Sequence, residues 1–328
     1  MYNNKTILIT GGTGTFGHNF AHFLLDNFKP KKVVIFSRDE FKQFRMHEEF
    51  SKHKNIRFLL GDIRDLSRLQ RAFQGVDIVI HAAALKQVPT LEYNPFEAIQ
   101  TNIIGSQNVI NASLDCGVNK VLLISSDKAA HPVNLYGATK MCAEKLFVSS
   151  NVYNSSKSKK STDFSVVRYG NVIGSRGSIV ETIKNNIGKS PSLTHKDMTR
   201  FFINLGQCSD LVTFSLKNMV GGEIFVPKIP SMKMVDLFSA LIPNSNIKIT
   251  GIRPGEKIHE TLITQEEAKN TFNVGKYYVI LSSSSYKSKI YSKYLKYTHL
   301  VDKQFIYSSN TNSEWLDVGV IKTMMSKK

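Results

Sequence analysis

The chain is predicted to fold as a doubly wound α/β protein, a largely parallel sheet covered by helices, with a smaller C-terminal lobe. Short runs rich in Val, Ile and Leu recur along its first part, segments of helical period separate them, and a glycine-rich turn joins the first run to the first helix. Alternation of buried strands and helices makes a parallel sheet, because each parallel connection needs a crossover and the crossover helices cover both faces.

"TILIT" (residues 6–10) opens the sheet, and "GGTGTFG" follows at once, leading into the helical segment "TFGHNFAHFLLDNF". The next runs are "KVVIF" (32–36), "IRFLL" (56–60), "VDIVIHA" (76–82), "KVLLISS" (120–126) and "FSVVRYG" (164–170). A long helical stretch, "PFEAIQTNIIGSQNVINASLDCG" (95–117), lies between the fourth and fifth strands. After about residue 170 the alternation loosens: "EIFVPK" (223–228) reads as one more core strand, while 171–205 and the stretch from 230 carry Pro, Gly and Asn punctuation. The tyrosine-rich tail "SSSSYKSKIYSKY" from 282 gives no clear pattern. The expected division is a Rossmann-like dinucleotide-binding domain over 1–170 with about 206–229, and a substrate-binding lobe over 171–205 and 230–328. Ligands of such sheets bind at the carboxyl ends of the strands, where the second lobe would cover them.

Lys plus Arg number 43 against 26 Asp plus Glu, a net charge of +17, which favours anionic partners such as nucleotides. The lysines are spread along the chain, with one local run, "SSKSKKS" (155–161), so the basic face of a nucleic-acid binder is not expected. Cys116, Cys142 and Cys208 have neither metal-ligand spacing nor the even count of a disulfide framework, so no metal is expected. The first strand begins within a few residues of Met1, which leaves no room for a secretory signal. No apolar run approaches the roughly 18 residues that cross a bilayer. A cytoplasmic protein without membrane insertion is expected.

Gly11, Gly14 and Gly17 stand in G-x-x-G-x-x-G spacing between the first strand and the first helix. Glycine permits the tight turn and lets the backbone approach a pyrophosphate seated on the helix N-terminus. The end of the second strand discriminates between nicotinamide cofactors, because an acidic residue there binds a ribose 2′-hydroxyl and repels a 2′-phosphate. Ser37 stands at that place, with Arg38 beside it and Lys42 one helical turn on. Both cations suit a phosphate, so NADP is favoured over NAD. Asp39 and Glu40 leave the alternatives of a ribose contact or a helix start. Asp62 and Ile63, after the third strand, fall where an adenine would lie.

Tyr136 and Lys140 are four apart and share a helix face. A nearby cation is expected to lower the phenol pKa from about 10 and make Tyr136 a base for a hydroxyl being oxidised. Asp127 and Lys128 supply a second acid/base pair at the end of the fifth strand.

The glycine loop, "HAAALK", "TNIIGS", "SSDKAA" and "YGATK" resemble an extended short-chain dehydrogenase/reductase. The finer similarity is to the inverting UDP-N-acetylglucosamine 4,6-dehydratases that begin the pseudaminic acid pathway. It rests on "FSRDEFKQ", "AALKQVPTLEYNP", "DKAAHPVNLYGATK", "VVRYGNVIGSRGS", "MTRFF", "GGEIFVPKIPSMKM", "GIRPGEKIHE" and "YSSNTNSEWL", which span essentially the whole chain. Ser126 stands where many members have threonine, keeping the hydroxyl, and His131 where asparagine is usual.

The resemblance implies a redox triad of Ser126, Tyr136 and Lys140, with Asn102 supporting a proton relay. It implies cofactor contacts from Thr13, Thr15 and Phe16 in the glycine loop, from Ala82, Ala83 and Lys86 after the fourth strand, and from Asn102, Tyr136 and Lys140. Asn171, Arg176, Arg200, Arg253 and Glu256 would contact a UDP-sugar, and Lys86 and Tyr93 are assigned to the sugar pocket. A dehydratase must also remove a proton from carbon 5 and help hydroxide leave carbon 6, tasks that two differently charged side chains can divide; Asp127 and Lys128 fit them. The implied function is NADP-dependent dehydration of UDP-N-acetylglucosamine with inversion at carbon 5, in a homo-oligomer for which a hexamer is one candidate. A retaining dehydratase, a 4-epimerase and a non-catalytic NADP-sensing protein are the alternatives.

Overall fold

The computed structural model describes residues 1–153, 161–177, 179–185, 192–243, 247–282 and 289–326. The lysine run at 155–161, apart from Ser161, and residues 283–288 of the tyrosine-rich tail lie outside the described residues.

The first half alternates as the apolar runs predict: β1 (Thr6–Thr10), α1 (Thr15–Asn27), β2 (Lys32–Ser37), α2 (Glu40–Glu49), β3 (Ile56–Leu60), α3 (Leu66–Ala72), β4 (Ile78–His81), α4 (Val88–Tyr93), α5 (Pro95–Ile99), α6 (Gly105–Asp115), β5 (Lys120–Ser126), α7 (Leu135–Ser149) and β6 (Asp163–Tyr169). A π-helical turn over Gln100–Ile104 joins α5 to α6. The second half adds β7 (Asn171–Val172), α8 (Ile179–Asn185), β8 (Ser192–Leu193), β9 (Thr199–Ile203), α9 (Leu205–Asn218), β10 (Glu223–Pro227), β11 (Ser231–Lys233) and α10 (Met234–Leu241), followed by further short strands and helices.

The parallel strands run in the order β3-β2-β1-β4-β5-β6-β10. Strand order reverses between β1 and β4, and the crevice at that switch point, outside the carboxyl ends, is where such sheets bind ligands. β1, β4 and β10 are buried along their whole length, as expected of strands covered on both faces.

The sheet does not end at β10. Tyr277–Leu281 pairs antiparallel with β10, then Thr271–Val274 and His299–Leu300 extend the edge. The expected lobe from residue 230 therefore contains three strands whose backbone hydrogen bonds join the main sheet. These strands lack the βαβ spacing, so the sequence pattern placed them elsewhere. The separate second core is smaller, built around Val180, Leu193, Met198, Phe202, Met232 and Phe238. It is organised on the three-stranded sheet β11-β9-β7.

Candidate active site

A cleft of about 1050 Å³ runs from the glycine loop across the carboxyl ends of β1, β4, β5 and β6 to the second lobe. Its first half is made of backbone. Gly11 has φ +65°, and a Cβ there would stand 2.7 Å from the Ala83 Cα. A Cβ on Gly17 would meet the Gly12 Cα at 2.6 Å, so α1 can press against the loop only without side chains. Gly14 occupies the N-cap of α1 with no side-chain capping bond, which leaves the first amides of the helix free to donate to an anion. Thr13, Thr15, Phe16, Ser37, Arg38, Lys42, Asp62, Ile63, Ala82, Ala83 and Lys86 all line this cleft. The features fit a dinucleotide: a cradle that side chains would fill, a helix N-terminus for the pyrophosphate, and polar groups at the far end of β2.

The two cations at that end are already partnered. The Arg38 guanidinium lies 3.4 Å from the Asp62 carboxylate, and Lys42 is ion-paired with Asp39. Asp39 itself caps α2, its carboxylate accepting from the Lys42 amide at 2.9 Å. That resolves the acidic pair after Arg38 in favour of a helix start.

The other half of the cleft is made of charged side chains. A single 3₁₀ turn, Asp127–Ala129, ends β5, capped by Ser126. α7 begins against it, with Gly137 so close that a Cβ would lie 2.3 Å from the Lys128 carbonyl oxygen. This contact brings Tyr136 over the turn. The Ser126 hydroxyl donates to Asp127 Oδ1 at 2.9 Å and Lys128 Nζ donates to the same oxygen at 3.1 Å. Lys128 Nζ is also 3.3 Å from Glu260 Oε1. Asp127 is fully buried, and its Oδ2 has no hydrogen-bond partner.

Glu260 was not singled out by the sequence, although it ends the quoted "GIRPGEKIHE". Nothing local marks it, since it meets Lys128 only in the fold. Lys257 and Arg200 also face it, at 3.6 and 3.8 Å. Burial pushes the Asp127 carboxyl above its ordinary range, and Glu260 adds to this against the pull of Lys128 and Ser126. Burial also opposes charge on Glu260, but Lys128, Arg200 and Lys257 outweigh it and hold that carboxyl below its usual range. Burial works against the Lys128 ammonium too, and the two carboxylates more than compensate, holding it charged.

One electrostatic expectation is overturned. The Tyr136 phenol is raised, because burial dominates. The cation that opposes burial is Lys128, helped by the neighbouring Ser126 hydroxyl. Lys140 donates to the Ile124 carbonyl at 2.6 Å, and burial lowers its pKa to about 8 against the pull of Glu144.

The remaining candidates divide. Asn171, Arg200, Arg253 and Glu256 line the cleft with Lys86. Arg200 directs its guanidinium at the backbone carbonyls of Thr199, Ile258 and Lys257. Lys86 Nζ donates to the Arg176 carbonyl at 2.8 Å, so Arg176 meets the site through its backbone, while its residue lines a separate cavity behind α1. Tyr93 is 87% exposed and does not line the cleft. Asn102 does not line it either. It is buried in the π-helical turn, exchanges hydrogen bonds with both backbone groups of Leu85 and donates to Thr139. It thus fixes the loop carrying Ala83 and Lys86, and its amide is committed there. His131 has φ +48°, a left-handed conformation that asparagine and histidine both enter more readily than most residues.

No helix among the described residues is long and apolar enough to cross a membrane. An inverting UDP-N-acetylglucosamine 4,6-dehydratase of Campylobacter jejuni (serotype O:23/36, strain 81-176) is 48% identical over 324 residues, 96% of this chain and 95% of its own. A UDP-glucose 4-epimerase of Rickettsia bellii is 43% identical over 85% of this chain and 84% of its own. Among solved structures, Pen from Bacillus thuringiensis superposes with a TM-score of 0.88 at 37% identity, covering 100% of this chain and 99% of that one. A dTDP-glucose 4,6-dehydratase of Streptomyces venezuelae, solved with NAD, shares the fold at TM-score 0.71 and 18% identity. A family model described as polysaccharide biosynthesis protein matches residues 7–282, and with that match and these relatives the chain belongs to the polysaccharide biosynthesis protein family, on a short-chain dehydrogenase/reductase type of fold.

Proposed function

We propose that this chain is an NADP-dependent UDP-N-acetylglucosamine 4,6-dehydratase that inverts carbon 5, feeding pseudaminic acid synthesis. The observation that carries dehydration is the buried Asp127–Lys128–Glu260 cluster beside Tyr136. An epimerase needs one acid/base at carbon 4; a second buried proton donor serves an elimination.

A nicotinamide dinucleotide in the glycine cradle would accept hydrogen from carbon 4 and return it at carbon 6, leaving no net oxidation. Tyr136, beside Ser126, gives up its phenolic proton to solvent in the cleft under the pull of the Lys128 charge and then takes the proton of the carbon 4 hydroxyl. Once carbon 4 is a ketone, the proton on carbon 5 becomes acidic. Asp127 is the proton donor to the hydroxyl leaving carbon 6, because its carboxyl is raised and its Oδ2 is unpartnered. Lys128, held charged between two carboxylates, stabilises negative charge that builds on the carbon 4 oxygen as the carbon 5 proton passes to solvent in the cleft, and a solvent proton replaces it on the opposite face when hydride returns to carbon 6. Glu260 stays ionised and sets the charge of both. Arg253 and Glu256, which line the cleft, are assigned to the diphosphate and uridine.

The epimerase reading has its own support in the 43% identity to the Rickettsia protein. Incubation with UDP-N-acetylglucosamine separates the two. Loss of 18 mass units, with deuterium at carbon 5 from heavy water and an L-arabino 4-keto product at early times, supports inverting dehydration. A product of unchanged mass overturns it; a D-xylo product from the first turnover overturns inversion alone.

A further inference from the structure

Away from the cleft, on the outer face of the first βαβα unit, three side chains converge that the reaction does not use. His18 and His22 stand one helical turn apart on α1, and Glu49 is the last residue of α2. Each glutamate oxygen faces one ring: His18 Nε2 is 2.7 Å from Oε2 and His22 Nε2 is 2.7 Å from Oε1. The rings are held in place. His22 packs on Phe50 with centroids 4.2 Å apart, and His18 packs edge-on to Phe50 at 5.7 Å. On its other side His22 Nδ1 faces the Asp26 carboxylate at 3.9 Å, beyond hydrogen-bond reach.

We propose that His18, His22 and Glu49 form a binding site for a zinc-class divalent transition metal that ties α1 to α2. The donor set is two imidazole nitrogens and one carboxylate oxygen, with a position left for water, as in three-ligand zinc sites. The ligand atoms lie within 4.8 Å of one another. Around a tetrahedral ion about 2.0–2.1 Å from each, ligand atoms stand roughly 3.4 Å apart, so the nitrogen–oxygen contacts now at 2.7 Å would open and the widest separation would close, a shift of at most about 0.7 Å per side chain. Their partial exposure, 28%, 37% and 47% of the side chains, leaves room for that shift.

Lys42, Arg45 and Arg176 line the neighbouring cavity with His18 and Glu49, so the local field does not attract cations. Binding here depends on nitrogen coordination, which selects zinc, cobalt or nickel over magnesium and calcium. Spacing along the sequence does not show the site, because its third ligand comes from the next helix. A metal here would fix the two helices that carry the pyrophosphate-binding N-terminus and Lys42, and so stiffen the cofactor half of the cleft.

The test is equilibrium dialysis of the full chain against zinc, with metal content per chain and thermal unfolding read together. One zinc per chain, a raised midpoint with zinc but not magnesium, and a cobalt visible spectrum of tetrahedral intensity are expected. Glu49→Gln, which keeps both rings, and His18→Gln with His22→Gln should each lose the bound ion while remaining folded by circular dichroism. Zinc content in wild type no higher than in the double variant overturns the site. So does a cobalt spectrum that Glu49→Gln leaves unchanged. If the double variant fails to fold, the comparison with Glu49→Gln alone decides. None of these readouts depends on turnover, so the site stands or falls independently of the dehydratase reading.

Discussion

The two halves of the cleft are built on opposite principles. The dinucleotide half works by leaving atoms out: its glycines clear a path for backbone amides, and the titratable group buried behind it, His81, is kept neutral. The catalytic half buries charge and keeps it there. Asp127, Lys128, Glu260, Arg200 and Lys257 come from three separate stretches and balance one another at 3.1–3.8 Å. A buried ion pair gives little net stability, because desolvation offsets the attraction. Such a cluster is better understood as proton storage than as cement. On the proposed function, one half would recognise the cofactor and the other would hold a proton ready on Asp127.

The comparison breaks most visibly at Tyr136. Tyr136→Phe keeps the ring and removes the acid/base group, so turnover should fall by about 10²–10⁴ while UDP-sugar binding, measured by calorimetry, persists. Asp127→Asn should instead allow the first half-reaction and stall at elimination, seen as nicotinamide absorbance that rises and does not decay. If neither variant shows that signal, the division of labour between Tyr136 and Asp127 is wrong.

In the recognition half the corresponding test is Arg38. A charge-assisted hydrogen bond contributes about 1.5–3 kcal/mol, so Arg38→Ala should weaken NADP by roughly 10- to 150-fold and NAD far less. Because Arg38 meets Asp62 at 3.4 Å, Asp62→Asn should have the opposite sign, freeing the guanidinium and tightening NADP. Equal losses for both cofactors in a fluorescence titration would sink the 2′-phosphate role.

These two halves were unequally legible. The glycine loop is a local device, three residues within seven, so spacing alone located it. Asp127, Lys128, Tyr136 and Lys140 sit within one strand end and the following helix, and periodicity placed them on one wall. What spacing does not contain is contact between distant segments. Glu260, the partner that holds Lys128 charged, could not be paired with it from sequence. Nor could spacing show the burial of the Tyr136 phenol, which outweighs the pull of Lys128 and made the expected cation-lowered phenol wrong. The sheet extension by Thr271–Val274 and Tyr277–Leu281 was hidden for the same reason: an antiparallel hairpin added to a parallel edge carries no crossover signature.

Glu260 sharpens the contrast from the charged side. Its ionised carboxylate raises Asp127, so Glu260→Gln should let that carboxyl fall toward its ordinary range. The step that needs Asp127 protonated would then fail at lower pH, moving the alkaline limb of the kcat profile down. A uniform fall in rate with an unchanged profile would show that Glu260 only packs.

The smallest effect is expected from His81, and it tests whether the recognition half really buries this imidazole uncharged. The ring lies between β1 and α6, with Nδ1 2.7 Å from the Thr10 hydroxyl and Nε2 3.1 Å from the Ser106 hydroxyl. Ser106 donates its own proton to the Asn102 carbonyl at 2.7 Å, so it must accept from Nε2, and Nδ1 accepts from Thr10. That is the neutral tautomer, with no partner for a second ring proton. Burial, helped by the Lys140 charge, lowers the His81 pKa to about 3. A histidine depressed in the folded state binds fewer protons there than when unfolded, so stability is present above the unfolded pKa of about 6.5 and is lost as pH falls toward the folded value. Between pH 6.5 and 5.5 the loss amounts to about 1 kcal/mol. Glutamine can accept from Thr10 and donate to Ser106 without titrating. His81→Gln should therefore unfold in urea with a flatter pH dependence over that unit, whatever its absolute stability. The same slope in both proteins would mean that the ring accepts a proton within the fold, and the recognition half would then hold a buried charge as the catalytic half does.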